Sequence, residues 1–226
     1  VLSAEYWNQF ERTHCFVMKR CNCEPLSDTI ILQPISVVSS FPYVFVGAYF
    51  LWKSRERFLS FGPFTQLALL FIFTGLASIF NHASYLQVAE LCDYGGIFMI
   101  FFWTAAMAQK KRRTGAVFFA QWVFPAAVAI GALSLLYGHG RAVFVVVIAI
   151  ALSQVILFHR RSRESVKARP FLVKAVGCLA LGLVLHVLDM DGKFCFDAIS
   201  LHGHTVWHLL TAASMVYIYR YFEAMI

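Results

Sequence analysis

Seven apolar runs, each close to the roughly 20 residues that cross a bilayer as a helix, dominate the chain: residues 31 to 52, 65 to 86, 88 to 108, 115 to 136, 142 to 159, 170 to 189 and 203 to 222. Lipid offers a peptide group no hydrogen bond, so runs of this length must satisfy their backbone internally, as helices. The expected fold is an all-α seven-transmembrane helical bundle, a single domain over residues 1–226. The break between the second and third runs is the least defined, because only a tight turn fits around Ser84 to Glu90. Composition agrees: 60% of the 226 residues are hydrophobic and 14% charged, against roughly 25% charged in a soluble domain. No internal repeat, linker or low-complexity segment divides the chain.

Lys and Arg set the expected orientation. The loops after the first, third and fifth runs carry Lys53, Arg55 and Arg57, then Lys110, Lys111, Arg112 and Arg113, then Arg160, Arg161, Arg163, Lys167 and Arg169. By the positive-inside rule these loops are cytoplasmic, which puts the N-terminus outside and the C-terminus inside. The opposite side holds Arg12, Lys19, Arg20, Arg141 and Lys193. Residues 1 to 29 lack a compact apolar core behind lysines, so the first span, rather than a cleaved signal, is expected to direct insertion. The net charge of +7 is mostly this cytoplasmic stripe, which suits anionic lipid headgroups and not nucleic acid.

Ionisable groups inside spans are expensive and point to function. Here they are His82 and Asp93 at the junction of spans two and three, His186 late in span six, and His204 and His208 early in span seven. The alternating topology puts all of them at one depth, near the outer ends of their helices. His204 and His208, four residues apart, share one helix face at metal-ligand spacing. Ser78 and His82 repeat that relation on span two, aiming a hydroxyl and an imidazole at one point. A third imidazole from another helix would complete a three-histidine set, which for zinc leaves one position open for water. Taken singly, each group has a plainer role: histidines hydrogen-bonding across the bundle, Ser78 as a small packing residue bonded to its own helix, Asp93 as a carboxylate joining spans two and three. Together at one depth they exceed what packing requires. His186 and His202 have no partner at ligand spacing on their own helices and read as supporting or interfacial residues.

Ser-x3-His in "SIFNH", an Asp in "LCDYGG" and a late HxxxH in "HGHTVWH" resemble the membrane hydrolase superfamily of alkaline ceramidases, adiponectin and progestin receptors, haemolysin III relatives and Per1-type lipid-remodelling proteins. "KFCFDAISLHGHTVWHLL" and "CNCEP" are most similar to the alkaline ceramidase branch, while "DYGGI" is closer to the receptor and haemolysin III branch. The resemblance implies zinc held by His82, His204 and His208, with Ser78 stabilising the oxyanion or orienting the substrate carbonyl. Asp93 would be the general acid or base. It also implies a calcium site in the N-terminal segment, of which Glu24 is the only clear ligand here. Cys21, Asn22, Leu26 and Gln33 stand at the other ligand positions, and Asp28 is a substitute. Calcium wants several oxygen ligands.

Among Cys15, Cys21, Cys23, Cys92, Cys178 and Cys195, the resemblance implies a disulfide from Cys23 to Cys195, fastening the N-terminal segment over the mouth of the zinc site. The implied function is a zinc-dependent intramembrane amidase that hydrolyses ceramide-like sphingolipids to a fatty acid and a sphingoid base. The site would lie on the lumenal, periplasmic or extracellular side. An esterase or phospholipase of the same superfamily, or a receptor-like relative with a vestigial metal site, is the alternative. A haem-binding cytochrome leaves Ser78 and Asp93 without a role.

Overall fold

The computed structural model describes residues 4–13, 22–55, 61–108, 116–135, 140–161, 165–196 and 201–225. Cys15 and Cys21 lie outside the described residues, as do Lys19, Arg20, Arg57, Lys110, Lys111, Arg112, Arg113 and Arg163. Seven long helices form the body: α1 (Pro34–Lys53), α2 (Pro63–Ser84), α3 (Gln87–Ala108), α4 (Ala116–Leu135), α5 (Gly140–Arg161), α6 (Ser165–Met190) and α7 (Gly203–Met225). A short 3-10 helix, Ala4–Gln9, precedes them, and a two-stranded hairpin, β1 (Cys195–Phe196) and β2 (Leu201–His202), links α6 to α7.

The first six helices are each long and apolar enough to cross a membrane, the mark of a multi-pass integral membrane protein. α7 has the length but not the apolarity, because His204, Thr205, His208, Thr211 and Ser214 interrupt it. Four of these five, Thr205, His208, Thr211 and Ser214, are buried within the bundle. The lipid-like character of the exterior is direct: Phe45, Phe124 and Leu135 are largely exposed, and apolar surface of that extent is not left facing water.

Element boundaries follow local chemistry. Pro34 and Pro63 start α1 and α2, where a missing N–H costs nothing and a fixed φ favours the first turn. α6 begins at Ser165, ahead of the apolar run, and carries Lys167, Arg169 and Pro170 within it. Hydropathy detects the membrane-embedded length of a helix and not its charged continuation. The turn between α2 and α3 is tight, as the sequence suggests, and consists of only Tyr85 and Leu86. It closes because Tyr85 takes the left-handed conformation, φ 52°, with its N–H donating to the Asn81 carbonyl at 2.7 Å.

α6 packs most closely on α7 and α1 on α2, with further contacts between α2 and α3, α3 and α4, α1 and α7, and α3 and α5. Among the described residues, α5 and α6 touch only sparsely. The main core centres on Phe50, Leu67, Phe71, Trp103, Tyr221 and Phe222, toward the end of the bundle where Lys53 pairs with Glu223 at 2.5 Å.

At the other end, the N-terminal segment lies across the helix ends as a strap. Thr13 N–H donates to the Tyr85 carbonyl and Gln87 N–H to the Glu11 carbonyl, around an isolated bridge between Arg12 and Leu86. The Arg12 guanidinium adds a bond to the Ser84 carbonyl at 2.5 Å. Further along, Leu32 and Gln33 N–H groups donate to the Ala83 and His82 carbonyls. Cys23 is disulfide-bonded to Cys195, Cα atoms 5.3 Å apart, as the resemblance implies. Glu24 has a role that needs no calcium: its carboxylate accepts the Ile35 N–H, the Ser36 N–H and the Ser36 hydroxyl. It thereby caps the first turn of α1 from a distance and matches the positive end of the helix dipole.

Candidate metal centre

Two helices bring the three expected ligands together. His82 comes from the last turn of α2, His204 and His208 from the first turns of α7. Their ligand nitrogens all lie within 4.8 Å of one another. The His82 and His204 Nε2 atoms are 3.0 Å apart, and the rings meet edge to face with centroids 4.5 to 5.1 Å apart.

The approach depends on Gly203. A Cβ there would lie 2.1 Å from the Leu185 carbonyl oxygen and 2.9 Å from the Asp189 Cβ, so only glycine lets α7 start against α6. Asp189, 1% exposed, completes the junction by accepting the His204 N–H at 2.9 Å and the Cys23 N–H at 2.8 Å.

Each imidazole is held through its other nitrogen, and the proton positions follow from those bonds. The Ser39 hydroxyl donates to the Ser36 carbonyl, so in its 2.8 Å contact with His208 Nδ1 the histidine is the donor. His82 Nδ1 faces the Gln33 Oε1 acceptor at 2.9 Å and must likewise carry a proton. His204 Nδ1 meets His186 Nδ1 at 2.8 Å; with His186 as acceptor, His204 also turns a bare Nε2 to the centre. His186, stacked on Trp207 with centroids 5.6 Å apart, thus has the supporting role the sequence suggests. Three neutral imidazoles, two buried and His204 half-buried, held through Nδ1 with Nε2 free, fit a divalent cation of zinc's borderline character, for which three histidines with hydrogen-bonded outer nitrogens leave a fourth position open.

Neither a family model nor a curated protein matches the chain.

Ser78 and Asp93 line the same cavity as the three histidines. Ser78 is buried one turn before His82, with its oxygen 3.0 Å from the Ser40 hydroxyl. Since Ser40 donates to the Ser36 carbonyl at 2.8 Å, Ser78 is the donor to Ser40. Asp93 lies on α3, its Oδ2 accepting from Asn81 Nδ2 at 3.0 Å. The cavity has a volume of about 410 Å³. Its polar end carries these groups together with Thr13, Asn22 and Tyr85. Burial keeps the Tyr85 hydroxyl far above its ordinary pKa, hence protonated, and it donates to Asn22 Oδ1 at 3.2 Å. The rest of the cavity is mainly apolar, with hydroxyls of Thr74, Thr104, Thr211 and Ser214 among its lining residues, and reaches Ile100, Val155, Leu172 and Ile218.

Gln33, Ser39, Ser40 and Asp189 were not singled out as site residues by sequence alone, apart from Gln33 as a stand-in at a calcium position. An acid at the end of an apolar run, Asp189 in "HVLDM", was the available signal. The adjacent serines in "VVSSF" resemble ordinary small residues of a spanning helix.

Proposed function

We propose that the chain is a zinc-dependent intramembrane amidase acting on ceramide-like lipids and releasing a fatty acid and a sphingoid base. The observation that carries the reading is the junction of two environments in one cavity. Three bare imidazole nitrogens, a serine hydroxyl and a carboxylate share its polar end, and the remainder is a mainly apolar slot. From His186 to Leu172 along α6 that slot extends about 21 Å at the helical rise, a length suited to an acyl chain.

When bound, zinc would supply Lewis acidity and bring water into its reactive form near neutral pH. His82, His204 and His208 would hold the ion. Ser78 is placed to turn its hydroxyl from Ser40 to the substrate carbonyl oxygen, where charge develops. Asp93 carries a proton from the attacking water to the departing nitrogen. The water oxygen ends on the acyl carbon, the C–N bond breaks, and the products are a carboxylic acid and an amine. In this reading all seven helices span the membrane, α7 with its polar side chains turned inward. The N-terminus and the histidines then face the lumenal, periplasmic or extracellular side. The resemblance to alkaline ceramidases supports the choice of an amide over an ester.

The test combines elemental analysis of purified protein with turnover of labelled ceramide and phospholipid panels. One zinc per chain, lost in His208→Ala, and release of fatty acid from ceramide are expected. Zinc retained in His208→Ala would refute the ligand set. A zinc-loaded protein that hydrolyses phospholipid but not ceramide would refute the amidase.

A further inference from the structure

Two of the three imidazoles lean on neighbouring helices, His204 on His186 and His208 on Ser39. His82 leans on the strap. Gln33 is 1% exposed and both ends of its amide are engaged: Oε1 faces His82 Nδ1 at 2.9 Å, while Nε2 donates to Asn22 Oδ1 at 2.8 Å and to the Glu24 carbonyl at 3.0 Å. A backbone carbonyl can only accept. The Glu24 contact therefore identifies the amide nitrogen, which leaves the amide oxygen toward His82. That oxygen can only accept, so it requires the proton of His82 on Nδ1 and the lone pair on Nε2. A second bond, Gln33 N–H to the His82 carbonyl at 3.0 Å, fixes the two residues' backbones against each other. Asn22 adjoins Cys23, whose disulfide and bond to Asp189 anchor the strap.

We propose that Gln33 is a positioning residue for the metal ligand His82: it sets the imidazole's tautomer and links the disulfide-anchored strap to the metal centre. The inference rests on the reading that the three histidines hold a metal. Outer hydrogen-bond partners of ligating histidines typically govern metal affinity by about 10- to 100-fold. Because the acceptor here is a neutral amide, His82 remains a less basic ligand than a carboxylate partner would make it.

The experiment measures zinc affinity of the purified full chain against a competing chelator, and the visible absorption of the cobalt-substituted protein. Wild type, Gln33→Leu, Gln33→Glu and Asn22→Ala are compared. Gln33→Leu, which removes the acceptor, is expected to weaken zinc binding about 10- to 100-fold and to alter the cobalt bands. Gln33→Glu keeps an acceptor of higher basicity and should hold zinc at least as tightly as wild type, with shifted cobalt bands. Asn22→Ala loosens the strap but leaves the acceptor in place, so its affinity should stay much nearer to wild type than that of Gln33→Leu. Wild-type affinity and unshifted bands in Gln33→Leu would overturn the proposal while leaving the metal site standing. Zinc loss in Asn22→Ala equal to that in Gln33→Leu would also overturn it, by assigning the effect to the strap alone. Should Gln33→Leu not fold, Gln33→Glu decides: bands and affinity both unchanged would count as refutation. A wild-type chain that binds no zinc defeats the metal reading itself, a result separate from either of these.

Discussion

Asp189 sets where His204 stands. One of its carboxylate oxygens accepts the His204 N–H at 2.9 Å and the other accepts the Cys23 N–H at 2.8 Å, so one buried acid fastens the first turn of α7 and the strap to α6. The placement is favourable because an acid at a helix N-terminus meets unpaired N–H groups and the positive end of the dipole. Among the described residues no Lys or Arg pairs with it as a salt bridge, and the two backbone donors take that role.

Replacing Asp189 therefore exposes the cost of both donors. Hydrogen bonds to a charged group contribute about 1.5–3 kcal/mol each. Asp189→Asn, which keeps one carbonyl but turns an amide toward a donor, should lose about that amount, and Asp189→Ala more. Thermal unfolding in detergent measures it; an unchanged melting temperature for Asp189→Ala would mean the clamp contributes nothing.

Glycine substitutions should separate close approach from helix propensity. Gly203→Ala puts a Cβ 2.1 Å from the Leu185 carbonyl oxygen, so α7 must shift and carry His204 and His208 with it. Gly131→Ala on α4 meets no atom within 4 Å and should be neutral or stabilising by about 0.5–1 kcal/mol, the helix preference for Ala. Zinc content should fall in the first variant and hold in the second.

The helices were legible in the sequence because membrane spans have a strong compositional signal, and the observed α1, α3 and α4 start or end within a few residues of the apolar runs. The three-histidine cluster was legible because ionisable groups at that depth are rare and the HxxxH spacing fixes a common face. What the sequence could not reveal is the support. Gln33, Ser39 and Asp189 are ordinary residues whose importance lies in partners 15 to 169 positions away, and no local spacing records such pairs. α7 is more polar than the other helices, and partners such as Tyr43 for Thr211 and the Ala175 carbonyl for Ser214 lie on other helices, where local spacing does not record them.

Ser78 and Asp93 offer a split between binding and chemistry. Under the proposed mechanism, Ser78→Ala should keep its zinc and lose roughly 10²- to 10³-fold in kcat, the cost of one oxyanion donor. Asp93→Asn should also keep zinc and lose roughly 10²- to 10⁴-fold, the range for a general acid or base. Metal analysis alongside steady-state turnover distinguishes both from variants that empty the site. Wild-type turnover in either would remove that residue from the mechanism.

The Cys23–Cys195 bond closes a loop of 172 residues. Removing a crosslink of that span typically costs about 2–5 kcal/mol, so Cys23→Ser should melt earlier than wild type. Alkylation followed by intact-mass measurement, with and without reductant, reports whether the bond is present; equal masses would mean that it is not.

His82 and His204 stand 122 residues apart, with four complete helices, α3 to α6, between the ones that carry them. While the chain is being made, His82 enters the membrane long before either of its fellow ligands is synthesised. If the three histidines hold a metal, as proposed, it can be captured only at the end of biogenesis, once the last helix is in place and Asp189 has received its first turn. Under the proposed reading, a chain truncated just before α7 would keep most of its bundle and lack two of the three ligands, which makes cation retention a readout of complete assembly.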